Sequence, residues 1–117
     1  FKVAAESNFY FDIGGHFNLS ANKYVVPVTG LYYVCCQISF ASVEVSTGAY
    51  VFISVNGANT YMGGLDDPQG GGYASPRYSG LVSFSANDEV GVVTRTINDT
   101  SVIIRQYTTD FSGYLVG

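Results

Sequence analysis

The residues able to do chemistry are few and widely spaced. The chain has one histidine, His16, with no serine or carboxylate at a motif spacing from it. It therefore reads as a hydrogen-bonded or surface residue rather than a general base. No nucleophile motif, phosphate-binding loop or zinc spacing is present, and the chain reads as a non-enzyme. The two cysteines, Cys35 and Cys36, are adjacent. On a strand they point to opposite faces and cannot reach disulfide geometry with each other. They are expected to be reduced thiols, Cys36 in the core and Cys35 towards a subunit contact.

What remains is recognition chemistry. The stretch from Gly63 to Arg77, GGLDDPQGGGYASPR, has no strand pattern and is rich in glycine and proline. Long irregular stretches in compact domains are usually functional or mobile. Tyr61 and Tyr73 offer flat apolar faces, Asp66 and Asp67 can accept from sugar hydroxyls, and Arg77 can pair with a carboxylate. These five residues form the expected glycan site. The competing reading packs the tyrosines, Tyr78 included, under the loop or at a subunit contact. Asp66 and Asp67 are also weak calcium candidates, since calcium takes carboxylate and carbonyl oxygens. Two adjacent acids are more often simply solvated, so no cofactor is expected. Asn18-Leu19-Ser20 and Asn98-Asp99-Thr100 are glycosylation sequons in expected surface turns, with Asn18 and Asn98 as acceptors.

The elements that must hold these residues are strands. The stretch Tyr24 to Phe40 reads as a short strand, a Thr29-Gly30 turn and a long strand. Pro27 places the short strand at an edge or a strand end. From Leu31 the pattern has period two. Tyr32, Val34, Cys36, Ile38 and Phe40 form an apolar face, and Leu31, Tyr33, Cys35, Gln37 and Ser39 form one that is apolar only in its first half. The first face belongs in a core. The apolar half of the second predicts a subunit contact on Leu31, Tyr33 and Cys35. Asn56-Gly57 between apolar runs is the strongest hairpin signal. Further strands are expected at 1–5, on either side of Gly14-Gly15, and at 78–84, 89–97, 102–107 and 111–116. With no helical periodicity, this many short strands indicate a sandwich of two antiparallel sheets.

Composition narrows the function. A chain of 117 residues is expected to be a single domain, 1–117. It is 47% hydrophobic and only 12% charged, so part of its surface is expected to be covered by other subunits. The net charge is −4, and Lys2, Lys23, Arg77, Arg95 and Arg105 form no run. That argues against nucleic acid and anionic membranes as partners. No apolar run approaches a membrane span. Phe1 is not an initiator residue, so the sequence reads as a mature portion in which a missing signal peptide says nothing about secretion.

One set of spaced residues resembles a known family. Asp12, Phe17, Tyr24, Gly30 and Tyr32 stand where the globular domain of complement C1q and its relatives, within the tumour necrosis factor superfamily, carry their signature. Tyr24 replaces the usual Phe, Val34 and Cys36 stand where later aromatics are usual, and Glu6 falls where a further Phe is expected. Ala86-Asn87-Asp88-Glu89-Val90 resembles the family's late turn, Phe111-Ser112-Gly113-Tyr114-Leu115 its closing strand, and Phe1-Lys2-Val3-Ala4 its opening one. The resemblance spans the chain and is nearest to stand-alone invertebrate C1q-domain proteins. It implies an all-β jelly roll, three copies around an axis, and a secreted, extracellular homotrimer with the strand at 31–40 facing that axis. It further implies a lectin-like recognition module of innate immunity that binds glycans or other microbial surface ligands. A receptor-binding signalling ligand resembling adiponectin or tumour necrosis factor, and a matrix trimerisation head, are the alternatives. Some relatives hold calcium with two Asp residues eight apart. Here Ala74 and Ser75 follow Asp66 and Asp67 at that interval, so that site does not carry over.

Overall fold

A computed structural model describes residues 1–4, 12–18, 20–43, 49–66, 72–96, 103–104 and 110–117. Its elements are all strands: β1 (Lys2–Ala4), β2 (Phe17–Asn18), β3 (Lys23–Val25), β4 (Gly30–Gln37), β5 (Phe40–Val43), β6 (Ala49–Val55), β7 (Ala58–Asp66), β8 (Gly72–Ala74), β9 (Arg77–Phe84), β10 (Glu89–Thr96), β11 (Ile103–Ile104) and β12 (Asp110–Leu115). One sheet has the order β1-β12-β4-β9 and the other β2-β3-β10-β6-β7. Pairing is antiparallel in both. The chain passes back and forth between the sheets, from β3 to β4, β7 to β9, β9 to β10 and β10 to β12. Strands remote in sequence therefore become neighbours, and the result is the expected jelly-roll sandwich.

Alternation along β4 builds one wall of the core. Tyr32, Val34 and Cys36 are fully buried, and Ile38 continues the row just past the strand. Val51 and Ile53 on β6, Val82 and Phe84 on β9, Val90 on β10 and Phe111 on β12 complete it. The signature residues act here and in turns. Asp12 Oδ2 accepts from the Phe17 main-chain N–H at 2.6 Å, which fixes the entry to β2. Phe17 lies opposite Tyr24 in register. Phe1 stacks on Tyr24 at a centroid separation of 4.0 Å and meets Phe111 edge-on at 5.0 Å, so this cluster ties β3 in one sheet to β12 in the other. The Tyr32 hydroxyl donates to Val28 O at 2.7 Å, which satisfies its polar tip inside an apolar core.

Two local expectations need amendment, and one is narrowed. The strand beginning at Leu31 ends at Gln37, and Phe40 starts β5 in a small third sheet of order β11-β5-β8. Of the two places expected for the short strand, it is the strand end that holds: β3 lies inside the five-stranded sheet, between β2 and β10, and Pro27 falls past its end, where no ladder donor is needed. The stretch 63–77 is not free of strands. β7 runs on to Asp66, β8 occupies Gly72–Ala74 and β9 opens at Arg77, while 67–71 lie outside the described residues. Gly63 explains part of this. A Cβ there would stand 2.6 Å from Arg77 O and from Tyr78 Cα, so the two sheets approach too closely for any side chain. The glycine that suggests a loop is instead the point at which β7 packs against β9.

The hairpin signal is met. β6 and β7 are joined by Asn56 and Gly57, with φ of 52° and 84°, both in the left-handed region that an Asn-Gly hairpin turn requires.

Candidate functional site

The outward face of the four-stranded sheet is built in rows, because residues paired across antiparallel strands share a face. Tyr33 on β4 pairs with Leu81 on β9 and with Tyr114 on β12. Leu31 pairs with Ser83, and its carbonyl accepts from Val116 N–H at 2.7 Å. Cys35 pairs with Ser79 and Ser112, and Gln37 with Arg77 and Asp110. The face thus grades from apolar at the Leu31 end to polar at the Gln37 end. The apolar end is open: Tyr114 is 62% exposed, Leu81 58% and Val116 51%. The rings of Tyr33 and Tyr114 lie 5.6 Å apart, and this mutual contact leaves Tyr33 half-buried. Leu31 is just exposed, and Cys35 is half-buried. A contiguous apolar patch of this kind on one sheet marks an interaction surface rather than ordinary scatter.

Leu31, Tyr33 and Cys35, expected from sequence, therefore do lie together on an outward face. Leu81, Tyr114 and Val116 belong to the same patch and were missed. A period-two reading of β9 and β12 carried forward to cross-strand register would have found Leu81 and Tyr114.

The five residues of the expected glycan site are more dispersed. Tyr61 points inward, opposite Ile53 in register, and its ring lies 6.1 Å from that of Tyr78. Both tyrosines pack against the core. Burial pushes the Tyr78 hydroxyl pKa up, with the nearby Tyr61 adding to the effect. Arg77 is exposed and lies at the polar end of the sheet face just described, across Gln37 from Asp110. Asp66 closes β7 and Tyr73 lies in β8, but their side chains are outside the described residues, as is Asp67 altogether. Asn18 is exposed, and its Oδ1 accepts from Ala21 N–H at 3.1 Å; Asn98 lies outside the described residues. Neither cysteine is in a disulfide. Among the described residues no group of three or more His, Cys, Asp or Glu side chains could hold a metal ion. No helix among them is long and apolar enough to cross a membrane.

Two stacked antiparallel sheets with jelly-roll connections, one presenting an apolar outward face, define the jelly-roll class of sandwich domain. The family model described as the TNF (Tumour Necrosis Factor) family matches residues 6–116, and the chain belongs to that family. No curated protein matches the chain. Domains of this family typically form homotrimers, are typically extracellular and generally act as non-enzymatic ligands.

Proposed function

We propose that residues 1–117 form the single C1q-like head of a secreted homotrimeric recognition protein that binds glycans or other microbial surface ligands. The observation that carries the trimer is the open apolar row of Tyr33, Leu81 and Tyr114, continued by Leu31 and Val116. In an isolated chain that row would face water. Packed against two copies it becomes an interface core, of the apolar and aromatic composition that such cores favour. Cys35 borders it, and Asp110, Gln37 and Arg77 give it a polar rim. Three copies in one rigid head would multiply weak single-site affinities.

Recognition is assigned to the region where β7 ends, β8 lies and β9 begins. Asp66, Asp67 and Tyr73 supply acceptors and a stacking ring, and Arg77 supplies a cation from the rim. Tyr61 packs inward beside Tyr78 against the core. The family match suits a signalling ligand that holds its receptor between protomers equally well, and the two readings part on a single experiment. A glycan array on the purified protein should give reproducible binding that Tyr73→Ala and Asp67→Ala each weaken, with melting temperature and assembly unchanged. Binding that survives both substitutions would remove this region as the site. An array without any signal would leave the receptor-binding reading as the better account.

A further inference from the structure

The outward face of the five-stranded sheet carries a second apolar feature, on the side of the sandwich away from the subunit contact. Val51 and Ile53 are fully buried, so alternation turns Tyr50 and Phe52 of β6 outward. Register sets Arg95 beside Tyr50, and sets Val93 and Met62 on either side of Phe52. The rings of Tyr50 and Phe52 are near-parallel, 26° apart in plane with centroids 6.3 Å apart. Together with Met62 and Arg95 they line an open groove of about 340 Å³. Met62 is 62% exposed.

The chemistry of this lining is selective. Phe52 offers no hydrogen-bonding group and Met62 only a weak acceptor, so among the described residues the polar contacts available are the Tyr50 hydroxyl and the Arg95 guanidinium. Among the described residues no carboxylate lines the groove with Arg95. In a chain of net charge −4 this is a cation at the mouth of an aromatic and thioether surface. A saccharide carries a hydroxyl on nearly every carbon, and two polar groups would leave most of them unpaired where water is displaced. A flat apolar body with one acidic group matches the lining part for part. The volume lies at the small end of the range for ligand pockets, about 300–1,000 Å³, which suits one or two fused rings.

We propose that this groove binds a small organic anion with a flat apolar body, an aromatic carboxylate. The ring system lies along Tyr50 and Phe52 with Met62 closing one side, and the carboxylate accepts a forked pair of hydrogen bonds from Arg95. The site is complete within one chain and does not depend on the trimer or on glycan recognition at β7–β9.

The test is an amide NMR titration of the full chain with naphthalene carboxylate. Saturable shifts are expected at Tyr50, Phe52, Met62 and Arg95, with a Kd below about 1 mM. Arg95→Gln should weaken binding about tenfold or more, since it removes the charge-assisted pair. Phe52→Ala should weaken it comparably, and the melting temperature of each variant reports whether the fold is kept. The neutral naphthalene carboxamide should bind the unsubstituted chain and Arg95→Gln equally. The proposal is overturned if the carboxylate does not saturate, or if Arg95→Gln binds it as well as the unsubstituted chain does. It is also overturned if N-acetylneuraminate saturates these residues while naphthalene carboxylate does not.

Discussion

Single residues in this sandwich carry acid–base properties that sequence alone does not reveal. Burial pushes the Cys36 thiol from its ordinary 9.0 up to about 12 and the Tyr24 hydroxyl from 10.0 to about 12. For Tyr24, the neighbouring Tyr32 and then Asp12 add to the effect of burial. Both groups are neutral when protonated, and folding favours that form. The folded state therefore holds these protons more tightly than the unfolded chain. The stability this supplies is fully present below the unfolded pKa values. It is lost as pH rises from about 9 towards about 12. Thermal melts across that window should show a falling melting temperature, and Cys36→Ala should shift the onset upward. A melting temperature that stays flat from pH 9 to 12 would contradict the assigned burial. The alternation of β4 was enough to place Cys36 inside and Cys35 outside. The shift was not legible, because it depends on the tertiary packing around Cys36, which β9 and β12 flank within the sheet at Tyr78 and Phe111.

Turns at one end of the sandwich are joined by side chains as well as by main-chain bonds such as Asn56 N–H to Glu89 O at 2.8 Å and Asn87 N–H to Val26 O at 2.7 Å. Asn56 Nδ2 donates to Asp88 Oδ1 at 2.9 Å, and Asn56 Oδ1 accepts from Glu89 N–H at 2.8 Å. Asp88 Oδ2 accepts from Ser85 N–H at 2.8 Å, and Thr29 Oγ1 accepts from Ala86 N–H at 2.9 Å. The β6–β7 hairpin, the β9–β10 turn and the turn before β4 thus form one hydrogen-bonded end plate. The bonds are exposed, so each should contribute about 1 kcal/mol rather than the larger value of a buried charge. Asn56→Ala and Asp88→Ala should each lower unfolding free energy by about 1–2 kcal/mol. In denaturant melts the double substitution should cost less than the sum, by about 0.5 kcal/mol or more, because the two residues share a bond. Strict additivity would show the plate to be independent turns. The hairpin itself was legible in Asn56-Gly57, because that dipeptide meets a local backbone demand. The continuation of β7 through Gly63 was not, since the reason for a glycine there is a backbone from the opposite sheet. The split between β4 and β5 was hidden for a similar reason: Ile38 and Phe40 keep the apolar alternation while the chain changes sheet.

At the scale of the whole molecule, the central question is what covers the apolar half of the four-stranded sheet. Leu31, Tyr33 and Cys35 were readable as a second apolar face because one strand showed two apolar faces over half its length. The full extent of the patch needed cross-strand register, which brings Leu81 and Tyr114 level with Tyr33 across a long sequence separation. The outer groove was missed for a related reason. Tyr50 to Ile53 is apolar on both faces, a pattern that a buried strand and an exposed aromatic site share. If the proposed trimer is correct, a charge placed at the centre of the patch must be desolvated without a partner, a cost of several kcal/mol per contact. Tyr33→Glu leaves the core face of β4 untouched, so the chain should still fold. The most direct measurement is multi-angle light scattering on the unsubstituted chain and on Tyr33→Glu. The unsubstituted chain should give three times the chain mass of 12.5 kDa and the variant a folded monomer. A monomer for the unsubstituted chain, or a trimer that persists in the variant, would contradict the account.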